Sequence, residues 1–185
     1  MSHKPPLVID TGIVSRYSFS NRFDILEQLY GNNIIIPTDV LKECWKITKM
    51  KNALHTALNS GWLEQFTIDF VYDADIVSTF GKLTKRFGPG ESAVLSIAKV
   101  KGYTVGSDDM RAARKFCQRY NVELKGSIGI LYEAYDKAII SESEAEDILN
   151  DMIKLSSYQS PISKFQEAIN WFENGHGKQL FYSPQ

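Results

Sequence analysis

Short apolar runs without polar alternation are the feature that most constrains the fold of this chain. Leu7–Ile9 is one such run and residues 34–36 are another. A strand that is apolar on both faces is typical of a parallel sheet that helices cover on both sides. Segments with helical periodicity alternate with these strands along the chain. The sequence therefore predicts a three-layer α/β/α fold around a central parallel sheet of about four or five strands.

Residues 87–116 show the same alternation of helix and strand in one continuous stretch. A Gly-Pro-Gly turn precedes Glu91, and the nearly continuous apolar run after Glu91 suits a helix that is buried on most sides. The next strand, residues 103–106, leads directly to Asp108 and Asp109. In open α/β sheets, ligands bind outside the carboxyl ends of the strands. The stretch therefore places acidic residues where a binding site is expected.

The composition describes an ordinary globular chain. Its 185 residues fit one domain, and a net charge of −1 gives no global signature of nucleic-acid binding, so such a surface would have to be local. The two cysteines have no CxxC or Cys/His spacing, which argues against a structural zinc site. The chain has no signal-peptide pattern and no apolar run close to the roughly 20 residues of a membrane span. We therefore predict a cytoplasmic protein without a membrane segment.

Local signals predict the ends of several helices. Thr38 can cap the helix after the second strand, whose apolar positions continue to Ile47. Residues 143–146 read as a capping box that begins a later helix. Pro161 marks a break, and a last helix is predicted to carry Ile162 among its apolar positions. No repeat, low-complexity segment or linker interrupts this series.

Acidic residues recur at the joints of the predicted elements. Asp10 follows the first strand, Glu43 lies on the helix after the second, Glu91 begins the buried helix, and Asp108 and Asp109 follow a later strand. Each has an ordinary alternative role: Asp10 can cap a helix, and Glu43 can belong to a solvated face of ion pairs. In a parallel sheet with right-handed crossovers, however, the strand-end acids come to one edge.

Several carboxylates in one cleft repel one another unless a cation neutralises them. Mg²⁺ or Mn²⁺ is the matching ion, because hard divalent cations bind carboxylate oxygens and water. One or two such ions can activate a water molecule and stabilise the leaving oxygen when a phosphodiester is hydrolysed. The pattern therefore indicates nuclease chemistry.

Five motifs carry a resemblance to a known family. They are VIDTG (8–12), IIIPTDVLKE (34–43), GPGESAVLSIA (88–98), VGSDDMRAARKF (105–116) and GSIGIL (126–131). In this order and spacing the chain resembles PIN-domain ribonucleases, and among them the short prokaryotic proteins close to the VapC-type toxins of toxin–antitoxin pairs. The resemblance covers about residues 6–155. It implies a PIN-like nuclease domain over residues 1–155, with residues 156–185 forming a C-terminal helical extension and tail of the same unit.

The resemblance also implies an activity and a site. The activity is the Mg²⁺- or Mn²⁺-dependent cleavage of single-stranded RNA by a water molecule, and the family suggests a cognate antitoxin and a homodimer as partners. The catalytic metal ligands would be Asp10, Glu43, Glu91 and Asp109. Asp108 is the alternative to Asp109, but the spacing from Ser107 favours Asp109. Thr11 and Ser107 would support these acids by positioning them or a water molecule.

An RNA substrate also requires contacts to its phosphates. The candidates are Lys46, predicted to lie on the helix of Glu43, and Arg111 and Arg114, on the helix that follows Asp109. Ordinary surface charge is the alternative for all three. Arg111 and Arg114 are the better candidates, because their helix begins at the acidic edge.

Two other classes of function stay open at this point. The first is a catalytically silent PIN-fold protein that acts as a nucleic-acid-binding or interaction module; the presence of all four acidic positions argues against it. The second is a metal-dependent phosphotransfer enzyme. A haloacid-dehalogenase-type phosphatase would need a second Asp two residues after Asp10, but Gly12 stands there, and a receiver-like phosphoacceptor does not explain Glu43 or Glu91.

Overall fold

The fold is that of a computed structural model, which describes residues 5–109, 111–175 and 181–182. Helices and strands alternate along this part of the chain. The strands are β1 (Leu7–Ile9), β2 (Ile34–Pro37), β3 (Glu64–Phe66), β4 (Thr104–Gly106), β5 (Leu124–Lys125) and β6 (Phe181–Tyr182). The helices are α1 (Thr11–Phe19), α2 (Asp24–Tyr30), α3 (Thr38–Cys44), α4 (Thr48–Asn59), α5 (Ala74–Leu83), α6 (Pro89–Lys101), α7 (Ala112–Tyr120), α8 (Ser127–Asp136), α9 (Glu142–Leu155) and α10 (Phe165–Glu173).

The strands form one sheet in the order β3-β2-β1-β4-β5-β6. Strands β1 to β5 pair in parallel, and β6 pairs antiparallel with β5 at one edge. The predicted α/β fold with a parallel sheet of about five strands is confirmed. The antiparallel β6 is an addition that the sequence did not predict, because two residues are too few to show a pattern.

The direction of the chain across the sheet reverses beside β1. From β1 the chain moves through β2 to β3 on one side, then crosses back to β4 and β5 on the other. Strands β1 and β4 are neighbours, and the amide of Asp10 donates to the carbonyl of Gly106 over 3.0 Å. This is a topological switch point, where the loops that leave two adjacent strands separate and leave a crevice.

The apolar runs are buried as their patterns predicted. All residues of β1 and β2 are buried, and residues 92–98 of α6 are buried without interruption. Gly102 ends α6 with φ +70°, a left-handed conformation that glycine adopts without steric cost. The helix that carries Glu91 is therefore held rigidly in the core.

The helix after β2 differs from its prediction. The N-cap position is Pro37, and the hydroxyl of Thr38 instead donates to the carbonyl of Phe66, because β3 lies alongside β2. Helix α3 ends at Cys44, and a new helix, α4, begins at Thr48. Ile47 is 43% exposed between the two helices, so the apolar positions predicted for one helix extend across a break.

Two predictions near the C-terminus are also wrong in detail. The capping box of α9 uses Ser141 with Glu144, and not residues 143–146. Glu146 is engaged elsewhere, because its Oε2 accepts the amide of Phe165 at the start of α10. Ile162 is buried but precedes that helix. Helix α10 packs on α8 and α9, and the boundary after residue 155 stays a prediction.

Across the residues described, no helix is both long enough and apolar enough to cross a membrane.

Candidate active site

Asp10 lies at the end of β1 and caps the helix that follows. Its Oδ1 accepts the amide of Ile13 over 2.9 Å, so the ordinary role of a helix N-cap is real. Burial raises the pKa of the Asp10 carboxyl from 3.8 to about 7, and the negative charges of Asp108 and Glu91 add to the rise, while a hydrogen bond from Ser107 opposes it. A residue that merely capped the start of a helix at the surface would not have like charges around it.

Glu43 reaches from α3 to the start of α6. Its Oε1 accepts the amide of Gly90 over 3.1 Å, and its Oε2 accepts the hydroxyl of Thr11 over 2.5 Å. A Cβ atom at position 90 would lie 2.7 Å from Oε1, so the carboxylate fits only beside a glycine. Glu43 therefore lies on the inner side of its helix, and the alternative of a solvated ion-pair face is excluded for this residue.

Glu91 is the acid of this edge whose hydrogen-bonding capacity is left incomplete. Its Oε1 is buried and has no hydrogen-bond partner among the described residues. The pKa of the Glu91 carboxyl is raised from 4.5 to about 7, chiefly by burial and also by the negative charges of Asp109 and Glu43. An unpartnered buried carboxylate oxygen is costly, because it has lost water and gained no replacement.

The neighbouring acids Asp108 and Asp109 point in different directions. Asp108 turns inward and accepts the amide and the hydroxyl of Ser127 over 2.7 and 2.8 Å. Asp109 is exposed, and its Oδ1 accepts the amides of Arg111 and Ala112 over 3.0 and 2.9 Å. The hydroxyl of Ser107 accepts the amide of Asp109 over 3.1 Å and so fixes the turn between them. Asp109 is the better placed of the two for a ligand that enters from solvent.

An Arg–Tyr pair that the sequence reasoning missed holds Asp108. The Nε of Arg16 lies 3.6 Å from Asp108 Oδ2, with the two side chains 17% and 12% exposed. The phenol of Tyr158 lies close enough to Asp108 to oppose the rise in its pKa, and the Tyr158 ring lies 4.7 Å from the Arg16 guanidinium. The same guanidinium donates to the carbonyl of Ser156 over 2.8 Å. Burial still raises the pKa of Asp108, but Ser127 and Arg16 oppose the rise.

A partial signal for this pair was present in the sequence. Arg16 is a lone cation on α1, next to the buried Tyr17 and after the buried Ile13 and Val14, a place where an arginine requires a partner. Tyr158 follows α9 in an irregular segment, and nothing in its local sequence indicates its contact with Asp108. The segment after residue 155 thus contributes a side chain to the site.

The acids form one electrostatic group without forming a closed cage. The charges of Asp109 and Glu43 raise the pKa of Glu91, and the charges of Asp108 and Glu91 raise the pKa of Asp10. Within the described parts of the chain, however, no three acids, histidines or cysteines converge closely enough to hold a metal ion by themselves. The predicted acids are therefore brought to the same edge, with space between them.

The predicted RNA-contacting cations occupy different surroundings. Arg111 is exposed and follows Asp109 closely, and Arg114 is partly buried on α7. Lys46 is exposed in the turn between α3 and α4, and not on the helix of Glu43 as the sequence predicted, because α3 ends at Cys44. Of the three, Arg111 has the closest connection to the acidic edge.

The fold and this edge define a class of protein: an α/β/α domain with carboxylates at the switch point of a parallel sheet. A family model described as a PIN domain (DUF3368) matches residues 6–170, and the chain belongs to that PIN-domain family. PIN domains are generally nucleases and typically use divalent metal ions. The match is to the PIN domain and not specifically to VapC-type toxins. No curated protein matches the chain significantly.

Proposed function

We propose that this protein is a metal-dependent endoribonuclease that hydrolyses phosphodiesters of single-stranded RNA with water as the nucleophile. The observation that carries this proposal is Glu91, a half-buried carboxylate whose buried Oε1 has no hydrogen-bond partner among the described residues and whose pKa is raised by the charges of Asp109 and Glu43. A fold that gathers like charges in this way is stabilised when a cation neutralises them.

The donor set fits Mg²⁺ or Mn²⁺. All four proposed ligands, Asp10, Glu43, Glu91 and Asp109, offer hard carboxylate oxygens, and no cysteine or histidine is among them. Mg²⁺ is usually bound through one or two carboxylates with several waters retained, so an open set of acids matches it better than a closed cage would. Bound at this edge, the ion would supply the positive charge that activates an attacking water and stabilises the leaving oxygen.

The chain itself orients the acids before any ligand arrives. Thr11 and the amide of Gly90 hold both oxygens of Glu43, and the amides of Arg111 and Ala112 hold one oxygen of Asp109. Ser107 supports both Asp10 and Asp109. The raised pKa values of Asp10 and Glu91 mean that each carboxyl exchanges a proton near neutral pH as long as no cation is present.

The second candidate function is a catalytically silent PIN-fold module that binds nucleic acid or another protein. The observation that favours it is that no three potential ligands converge in the described residues. Metal binding separates the two candidates. A nuclease should bind Mn²⁺ in a calorimeter with a loss of binding in Glu91→Gln, whereas a silent module should bind none.

Cleavage of a panel of single-stranded RNAs, with and without Mn²⁺, tests the proposal. We expect Mn²⁺-dependent products from the wild-type protein, no products with EDTA, and a loss of at least about 100-fold in Asp10→Asn, because an essential charge is removed. Asp136→Asn, which changes an exposed acid at the end of α8, is the matched control and should cleave normally. With a contaminating nuclease excluded, equal cleavage by wild type and Asp10→Asn would refute the proposal.

We further propose that the protein acts in the cytoplasm as the toxin of a toxin–antitoxin pair, as a homodimer held inactive by a cognate antitoxin. The motifs shared with VapC-type proteins support this step. Induced expression should arrest growth, and Asp10→Asn should not. Light scattering on the purified protein would measure its oligomeric state, and a monomer at micromolar concentration would contradict the homodimer.

A further inference from the structure

A groove lined by cations opens between the end of α5 and helix α7. It has a volume of about 610 Å³. Six of its lining residues are basic: Lys82, Lys85, Arg86, Arg111, Lys115 and Arg119. None of its lining residues in the described part of the chain is acidic, although the whole chain has 22 acids against 21 lysines and arginines. We call this feature the basic groove; its charge is a local departure from a nearly neutral protein.

The cations of the basic groove are not balanced by neighbouring acids. Among the described residues, none of the six forms an ion pair with a carboxylate. A cluster of like charges in one concave surface is unfavourable and focuses a positive potential there. The groove therefore fits a polyanion, whose binding relieves the repulsion.

The floor of the basic groove is apolar and aromatic. Phe87, Phe116 and Tyr120 line it together with Leu83. The rings of Phe116 and Tyr120 have centroids 4.6 Å apart, and Tyr120 is still 39% exposed. Lys99 Nζ lies 4.1 Å from the Tyr120 centroid. Cations around the exposed ring of Tyr120 match a chain whose phosphates and flat bases alternate, which is a single-stranded nucleic acid.

The basic groove adjoins the acidic edge through two short stretches of chain. Arg111 lines the groove, and its amide donates to Asp109 over 3.0 Å. On the other wall, Phe87 precedes the turn that leads to Glu91 at the start of α6. A nucleic-acid strand bound in the basic groove would therefore have one end near Asp109 and Glu91.

We propose that the basic groove binds single-stranded RNA and leads it to the acidic edge. The location of the groove and its contacts stand by themselves; the arrival of a scissile phosphate at the acids rests on the proposed nuclease function. The phosphates lie against the cations of both walls, and unpaired bases contact the Tyr120 ring. Duplex RNA does not fit this role, because its bases are paired and cannot reach an aromatic floor.

Fluorescence anisotropy with a short, mixed-sequence, labelled single-stranded RNA in EDTA tests the site without any cleavage. The groove variant is Lys85→Glu with Arg119→Glu. The matched control is Lys51→Glu with Lys154→Glu, which makes the same change in net charge at exposed residues of α4 and α9. We expect the groove variant to lose about tenfold or more in affinity, and its slope of log K against log salt to fall by about 1.4 for two lost phosphate contacts. Equal losses in both variants, or none in the groove variant, would overturn the proposal.

Substitutions at Tyr120 separate stacking from general attraction. Tyr120→Phe keeps the ring and should bind RNA within about twofold of wild type, whereas Tyr120→Ala should lose roughly five- to 100-fold. Thermal unfolding of each variant confirms that the fold is kept. Equal affinity for Tyr120→Ala and wild type, in folded protein, would contradict the aromatic contact and with it the choice of a single strand.

Two competing ligands, a duplex RNA and an acidic peptide, test which kind of polyanion the basic groove binds. Unlabelled single-stranded RNA should displace the probe better than a duplex of the same sequence, and better than a poly-glutamate peptide. A duplex that competes equally well would overturn the single-strand assignment. A peptide that competes better would assign the groove to an acidic protein partner and overturn it as well.

Cleavage assays keep this inference distinct from the proposed function. RNA that binds through the groove and is never cleaved would end the nuclease proposal and retain the groove. Mn²⁺-dependent cleavage with the same KM in groove and control variants would retain the nuclease and overturn the groove.

Discussion

The carboxylate of Glu43 occupies the space that a side chain at position 90 would need. The amide of Gly90 donates to Glu43 Oε1 over 3.1 Å, and a Cβ on Gly90 would approach the same oxygen to 2.7 Å. The second glycine of the GPGES motif is thus explained by an acid that lies 47 residues earlier in the chain. The absence of a side chain at Gly90 leaves room for the Glu43 carboxylate, and the hydrogen bond between them joins α3 to the start of α6.

Gly90→Ala should therefore damage activity more than stability. The added Cβ would meet only the end of the Glu43 side chain, which can swing away. We therefore expect a loss of about 1 kcal/mol of unfolding free energy from the broken hydrogen bond. Cleavage should fall by about tenfold or more, since a displaced ligand no longer aligns the reaction. Chemical denaturation and initial rates of cleavage measure the two effects.

The control for this substitution lies in α5. Gly81 is a helical glycine with nothing within 4 Å of an added Cβ. Gly81→Ala should stabilise the protein by about 0.5–1 kcal/mol and leave cleavage unchanged. If Gly90→Ala behaves in the same way as Gly81→Ala, Glu43 is not held at the position described.

Arg16 and Asp108 should be energetically coupled. Arg16→Met removes the guanidinium 3.6 Å from Asp108 and leaves a buried carboxylate without its counter-charge, which should cost about 3 kcal/mol of unfolding free energy. Asp108→Asn in the same protein removes the unpaired charge and should recover part of the loss. A double-mutant cycle by urea denaturation measures the coupling, and strictly additive losses would show that the two side chains do not interact.

The stability of the metal-free protein should fall as the pH rises from about 4.5 to about 7. Folding raises the pKa of both Asp10 and Glu91 to about 7, so the folded state binds more protons than the unfolded state across this range. The contribution of these protons is complete below pH 4 and is lost above pH 7. Thermal unfolding in EDTA at pH 5 and at pH 8 measures the difference.

Glu91→Gln should remove part of that pH dependence. At pH 8 the substitution eliminates a half-buried charge with one unpartnered oxygen and, because solvent screens part of this charge, should stabilise the metal-free protein by about 1 kcal/mol, whereas at pH 5 it should have little effect. Mn²⁺ should raise the unfolding temperature of wild type at pH 8 more than that of Glu91→Gln. Glu64→Gln, at an exposed position of β3, is the control and should match wild type at both pH values. A larger stabilisation at pH 5 than at pH 8 would reverse the sign and contradict the assignment.

The two serines at the start of α9 should differ in their contribution to stability. The hydroxyl of Ser141 accepts the amide of Glu144, and the carboxylate of Glu144 accepts the amide of Ser141. Ser141→Ala should cost about 1 kcal/mol, and Ser143→Ala close to nothing. The urea concentrations at the unfolding midpoints of the two variants distinguish the observed cap, Ser141, from the predicted one, Ser143.

The sequence predicted the sheet well because burial on both faces leaves a strong local pattern. The fully buried residues of β1, β2 and α6 are apolar runs that no surface segment would tolerate. The end of α3 was mispredicted for the opposite reason. Trp45 and Ile47 are apolar yet 45% and 43% exposed, so they extended a helical pattern past its true end.

The candidate site was predictable as far as topology determines it. Asp10 and Asp109 follow adjacent parallel strands, and any chain with that strand order brings them to one edge. The spacing from Ser107 favours Asp109 but does not predict the direction in which Asp108 points. This direction depends on Ser127, 19 residues away, which binds Asp108 and turns it inward. Arg16 and Tyr158 could not be predicted for the same reason: their partner is brought close only by the folded chain.

The acidic edge depends on Tyr158, a residue after α9 that lies against Arg16 and Asp108. A protein shortened after Leu155 would retain each proposed metal ligand and each strand from β1 to β5. It would lose the phenol beside Asp108 and the carbonyl of Ser156 that accepts the guanidinium of Arg16. Ser156 and Tyr158, in the segment that follows α9, therefore brace Arg16 and Asp108 beside the exposed Asp109.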